Sequence, residues 1–90
     1  MSVEDVLASK VRLKILKILA QIGELNVSEI ARRLGANYVT TRKQLGILED
    51  EGILLRKMFG RIRFYRINER SPKARAIQQL IEAWEAADRR

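Results

Sequence analysis

Neither cysteine nor histidine occurs in this 90-residue chain, and proline occurs once. Without thiol or imidazole there is no disulfide framework, no cysteine nucleophile, no imidazole base and no thiolate metal site. The remaining side chains offer no nucleophile-base pair and no metal cluster, so neither an enzyme nor a resident metal or cofactor is expected. Long apolar runs are also missing: charge interrupts each one well before membrane-spanning length, and the first residues lack a signal-peptide pattern. The expectation is a soluble cytoplasmic protein with no membrane association. No internal repeat, low-complexity run or flexible linker breaks the chain, which is expected to form one domain over residues 1–90.

What the chain does have is apolar content sufficient for a core, 47% of residues, and an excess of positive charge, 18 Lys and Arg against 11 Asp and Glu. A net charge of +7 favours a polyanion or an anionic membrane surface as partner. The distribution says more than the total. Residues 1–52 carry 8 basic and 7 acidic side chains and residues 71–90 carry 4 and 3, whereas residues 53–70 carry 6 and 1. The excess is therefore concentrated in one short segment, as in a contact surface.

Hydrophobic spacing and capping residues divide the chain into elements. Ser2 caps a short first helix, with Asp5 in capping-box position and Val3, Val6 and Leu7 apolar. Continuous with it or after a break near Ser9, a second helical segment runs from Lys10 to about Gln21, with Val11, Ile15, Ile18, Leu19 and Ile22 as its core stripe and Leu13 and Leu16 on another side. A helix so widely apolar needs two covers. Leu25 to Val27 suggests a very short strand. Asn26 and Glu29 then have capping-box spacing for a two-turn helix that stops at Gly35. Asn37 caps the next helix, which ends at Gly52. Two short helices across a glycine-containing turn form a helix-turn-helix, at about residues 27–51.

Past Gly52, Ile53 to Met58 and Ile62 to Ile67 read as strands of a hairpin with Phe59-Gly60-Arg61 between them, at about residues 53–68. Ser71-Pro72 starts a final helix, about 72–88, along which Ile77, Leu80, Ile81, Trp84 and Ala87 form a narrow apolar seam.

The order helix, helix-turn-helix, basic hairpin, helix is that of a winged helix. The stretches Lys10 to Leu16, Asn26 to Ala31, Leu45 to Ile53 and Gly60 to Asn68, taken in that order, resemble the ArsR-type winged-helix transcription regulators, particularly small archaeal members. The resemblance covers roughly residues 6 to 68. It implies an α+β, mostly α fold with a β-hairpin wing and a C-terminal dimerisation helix. It also implies a homodimeric regulator of transcription, a repressor in the reading preferred here, with its recognition helix in the major groove of double-stranded DNA and its wing on the backbone or minor groove. Metal sensors of that family carry cysteines at the start of the helix that begins here near Val27. This chain has none, so thiolate sensing of that kind is excluded and any effector is unknown. An abundant nucleoid-associated protein of weak selectivity and a protein-interaction winged helix in a larger assembly are the competing readings.

In the recognition helix the candidates are Asn37, Tyr38, Thr40, Thr41, Lys43 and Gln44, because Asn and Gln pair with adenine and Lys reaches guanine acceptors. Asn37 also serves as a cap, and Thr41 faces the apolar stripe, where burial competes with base contact. In the wing the candidates are Arg56, Lys57, Arg61, Arg63 and Arg66, which clamp phosphates or enter a narrow minor groove. The competing role is a solvated edge that discourages strand aggregation. Arg32 and Arg33 are placed to reach the backbone beside the recognition helix. Val3, Val6, Leu7, Ile77, Leu80, Ile81 and Trp84 are expected at a dimer seam, where an apolar stripe is more often interface than ligand site. The acids Glu49-Asp50-Glu51 read as a solvated helix end.

Overall fold

Five polar residues fix where the helices begin. Ser2, Ser9, Asn26, Asn37 and Ser71 each accept, through the side chain, the backbone N–H three residues on. Each such cap satisfies a donor that the first helical turn leaves open and contributes about 1 kcal/mol. A computed structural model of the protein describes residues 1–89. It contains α1 (Val3–Leu7), α2 (Lys10–Ile22), β1 (Glu24–Asn26), α3 (Val27–Leu34), α4 (Tyr38–Asp50), β2 (Leu54–Phe59), β3 (Ile62–Ile67) and α5 (Pro72–Asp88).

The three strands form one antiparallel sheet in the order β1-β3-β2. The short strand ends one residue earlier than expected, because Asn26 is both its last residue and the cap of α3, which leaves Val27 to begin the helix. In the hairpin Phe59 pairs with Ile62, so Phe59 belongs to the strand and the turn is only Gly60-Arg61. Gly60 has φ 59°, a conformation available at little cost only to glycine, which is what a two-residue hairpin turn needs at that position.

The core gathers around α2. Ile15, Leu16 and Leu19 are buried there against Val27 and Ile30 of α3, Leu45 and Leu48 of α4, Tyr65 and Ile67 of β3, and Ala74, Ile77 and Ile81 of α5. Each fully buried aliphatic side chain contributes about 1.5–3 kcal/mol. Leu45→Ala, at the centre, should cost roughly 2–5 kcal/mol. The expected stripe of α2 is displaced at both edges: Leu16, placed on another side, is buried, and Ile22 is exposed. Gly23 caps the helix just beyond Ile22 and turns the chain into β1. The hairpin is buried at its base through Leu54, Tyr65 and Ile67 and exposed at Phe59 and Ile62 near its tip.

Candidate nucleic-acid interface

Helix α4 has one anchored face and one free face. Thr41, Leu45 and Leu48 fall on one side at helical spacing and are buried. Val39, Thr40, Arg42 and Lys43 are exposed in the first two turns. Val39 is 77% exposed, and neither Arg42 nor Lys43 has an ion-pair partner among the described residues. Apolar, hydroxyl and cationic groups therefore stand together on a rigid rod, the mixture that reads major-groove edges. Val39 and Arg42 were not among the sequence candidates. Arg42 meets the same charge criterion as Lys43, and the exposed methyl groups of Val39 can pack on a thymine methyl.

Two candidates on this helix are already committed to the protein. Thr41 is fully buried, and its hydroxyl donates to the Asn37 carbonyl oxygen at 2.8 Å, so it holds the first turn together and cannot reach a base. Gln44 is half-buried, and its Oε1 accepts from Arg12 Nη1 at 2.7 Å. Asn37 Oδ1 accepts from the Thr40 N–H at 2.8 Å, which is the capping role.

The wing is built by register. Opposed pairs Arg56-Tyr65 and Met58-Arg63 share its inner face, while Leu55-Arg66, Lys57-Phe64 and Phe59-Ile62 share the outer one. On the inner face Arg56 Nε lies 3.3 Å from Glu49 Oε2 at the end of α4. Burial pushes the Tyr65 phenol upward from its ordinary value, with Glu49 adding to the shift and Arg63 and Arg56 opposing it. On the outer face Lys57 Nζ sits 4.7 Å from the centre of the Phe59 ring, which meets Phe64 edge-on at 5.5 Å. Arg61 is exposed in the turn. An open cleft of about 210 Å³ runs between Ser28 at the start of α3, Tyr38 at the start of α4, and Arg61 and Arg63 of the wing. Helix-turn-helix and wing thus share one surface.

Other charges are spent locally. Arg32 and Arg33 both pair with Glu29, whose carboxyl is held below its usual range mainly by the Arg32 hydrogen bond. The acidic end of α4 is not simply solvated: Glu49 binds Arg56, and Glu51 binds Lys73 and the N-terminal ammonium.

The expected dimer residues divide in two. Val6 and Ile77 are buried within the chain against α2 and are core rather than seam positions, whereas Ile81 is buried at the floor of the groove described next. Val3, Leu7, Leu80 and Trp84 are exposed, Trp84 by 67%. Leu7, Leu80 and Trp84 join Leu13 and Ile81 in a groove of about 420 Å³ between α1, α2 and α5, rimmed by Asp88 and the Lys17-Glu85 ion pair at 3.3 Å.

Residues 9–54, from the cap of α2 to the start of β2, match the sequence profile of the bacterial regulatory proteins of the arsR family. The chain belongs to that family. Among arsR-family relatives, the arsenical resistance operon repressor of Escherichia coli (strain K12) is 32% identical over 79 residues, spanning 88% of this chain and 67% of that one. The AntR antimony-specific transcriptional repressor superposes with a TM-score of 0.77 at 31% identity, covering 96% of this chain and 77% of AntR. A homodimeric winged helix-turn-helix DNA-binding domain from Mycobacterium bovis superposes with a TM-score of 0.70 at 30% identity, covering 93% and 72%. The fold is thus a winged helix of the arsR type, and the protein is a DNA-binding regulator of transcription rather than an enzyme. No helix among the described residues is long and apolar enough to cross a membrane. This arsR-family chain has no cysteine, so a thiolate metal site cannot form in it.

Proposed function

We propose that residues 1–90 act as one DNA-binding domain that dimerises with a second copy and represses transcription by occupying promoter DNA at specific sequences. Val39, Thr40, Arg42 and Lys43 enter the major groove. Arg61 and Arg63 engage the flanking backbone or minor groove, with Lys57 and Arg66 adding positive potential and Arg56 acting through its hold on Glu49. The exposed side chains Val3, Leu7, Leu80 and Trp84 form the dimer seam. The observation that carries this reading is the shared cleft of Ser28, Tyr38, Arg61 and Arg63, which joins the start of the reading helix to the basic wing. Repression is the role named for the Escherichia coli relative and for AntR.

Selection of bound fragments from random duplex DNA tests the proposal. A dimer should enrich an inverted repeat whose half-sites lie about one helical turn apart, roughly 34 Å. Uniform recovery of all sequences would instead indicate the weakly selective, nucleoid-associated role.

A further inference from the structure

Four of the five glycines stand where the backbone requires them: Gly23, Gly35, Gly52 and Gly60 have positive φ and end helices or turn the hairpin. Gly46 is different. It lies in the third turn of α4 without a positive φ, where glycine is a poorer helix former than alanine because a freer backbone must be fixed. Close packing does not explain it either. Apart from its own neighbouring main chain, nothing lies within 4 Å of the point where a Cβ would stand, so the fold leaves room for a side chain there. Neither backbone conformation nor a neighbour within the chain accounts for the missing side chain.

The surroundings of Gly46 point to a partner outside the chain. It follows Val39 by seven residues and Lys43 by three and precedes Asp50 by four, so these four share the ridge of α4 that faces away from buried Leu45 and Leu48. The ridge opens on a hollow of about 410 Å³ whose lining includes Val39, Arg42, Lys43, Gly46, Ile47 and Asp50. Asp50 is exposed and has no ion-pair partner among the described residues, so its carboxylate repels phosphate at this end of the ridge. Base edges, rather than the sugar-phosphate rim, are then the part of a duplex that can close on Gly46. We propose that Gly46 sets the depth at which α4 seats in the major groove: its bare main chain touches base edges, and that approach brings Val39 and Lys43 within reach of theirs. This rests on the reading of α4 as the groove helix and extends the reading surface into the third turn.

Gly46→Ala and Gly46→Leu test it, compared with the wild-type chain in thermal unfolding and in affinity for two duplexes. One is the duplex that the wild-type chain enriches from random DNA, and the other is a scrambled version of it. Alanine favours the helix and meets no neighbour, so Gly46→Ala should raise the melting temperature by about 4–8 °C. Affinity for the enriched duplex should nevertheless fall by about tenfold, the worth of one base contact, and further in Gly46→Leu. Affinity for the scrambled duplex, held by phosphate contacts, should change little. A Gly46→Ala chain that is less stable would assign the glycine to the fold and overturn the inference, as would undiminished affinity of both variants for the enriched duplex. Lys43→Ala separates this failure from that of the reading beneath it. If Lys43→Ala weakens binding and Gly46→Leu does not, the depth inference alone fails; if neither does, or if the wild-type chain enriches no duplex, the groove-helix reading fails with it.

Discussion

Arg56 Nε lies 3.3 Å from Glu49 Oε2, so the first strand of the wing is tied to the last turn of the recognition helix. The pair is partly exposed, and pairs of that kind contribute about 0–1 kcal/mol to stability. Its effect is on placement, because it holds the wing beside α4, the helix proposed to read the groove. Arg56→Ala should therefore lower stability only slightly, by up to about 1 kcal/mol in denaturant unfolding, and change the salt dependence of DNA binding little. Arg61→Ala, at an exposed turn residue, should leave unfolding unchanged and reduce the salt slope by about 0.9.

The two halves of the expected dimer seam should respond differently to truncation. Ile77 is buried within the chain, and Ile77→Ala should cost roughly 2–5 kcal/mol in unfolding free energy. Trp84 is mostly exposed, and Trp84→Ala should leave the melting of the isolated chain nearly unchanged while shifting the species seen by analytical ultracentrifugation from dimer to monomer. A Trp84 variant that remains dimeric would remove α5 from the interface.

Tyr65 gives the fold an alkaline limit. Its raised phenol pKa means that the folded chain keeps the proton at a pH where the unfolded chain releases it. The associated stability is full below the ordinary value of 10.0 and is lost as pH climbs from there through the raised one. In a Tyr38→Phe background, where Tyr65 is the one phenol left, absorbance should report phenolate only above that ordinary value, together with falling unfolding stability. Adding Tyr65→Phe should abolish that loss, at some cost in packing.

Much of this fold was legible in the sequence because its punctuation is local. Ser2, Asn26, Asn37 and Ser71 cap helices through bonds spanning three residues, and such spacing can be read directly. The hairpin could also be read, apart from Phe59, whose pairing with Ile62 shortens the turn. Partners distant in sequence could not be read. Gln44 was free by its position on α4, and only the fold brings Arg12 against it from 32 residues away. Val6 and Ile77 fit the same apolar stripe as Leu7, Leu80 and Trp84, and periodicity does not distinguish a side chain covered by α2 from one that needs another surface. Likewise Arg56 counted with the free cations of the wing until the hairpin placed it beside Glu49.

The central claim, a basic wing acting together with a groove-reading helix, is tested most directly by the affinity for a selected duplex measured across ionic strength. The wild-type chain and the double variant Arg61→Ala, Arg63→Ala should be compared. The wild-type logarithmic plot should fall linearly, by about 0.9 for each phosphate neutralised, and the double variant should be shallower by about 1.8 with its preferred sequence unchanged. A wild-type affinity indifferent to salt, or a double variant whose slope equals that of the wild type, would contradict the account.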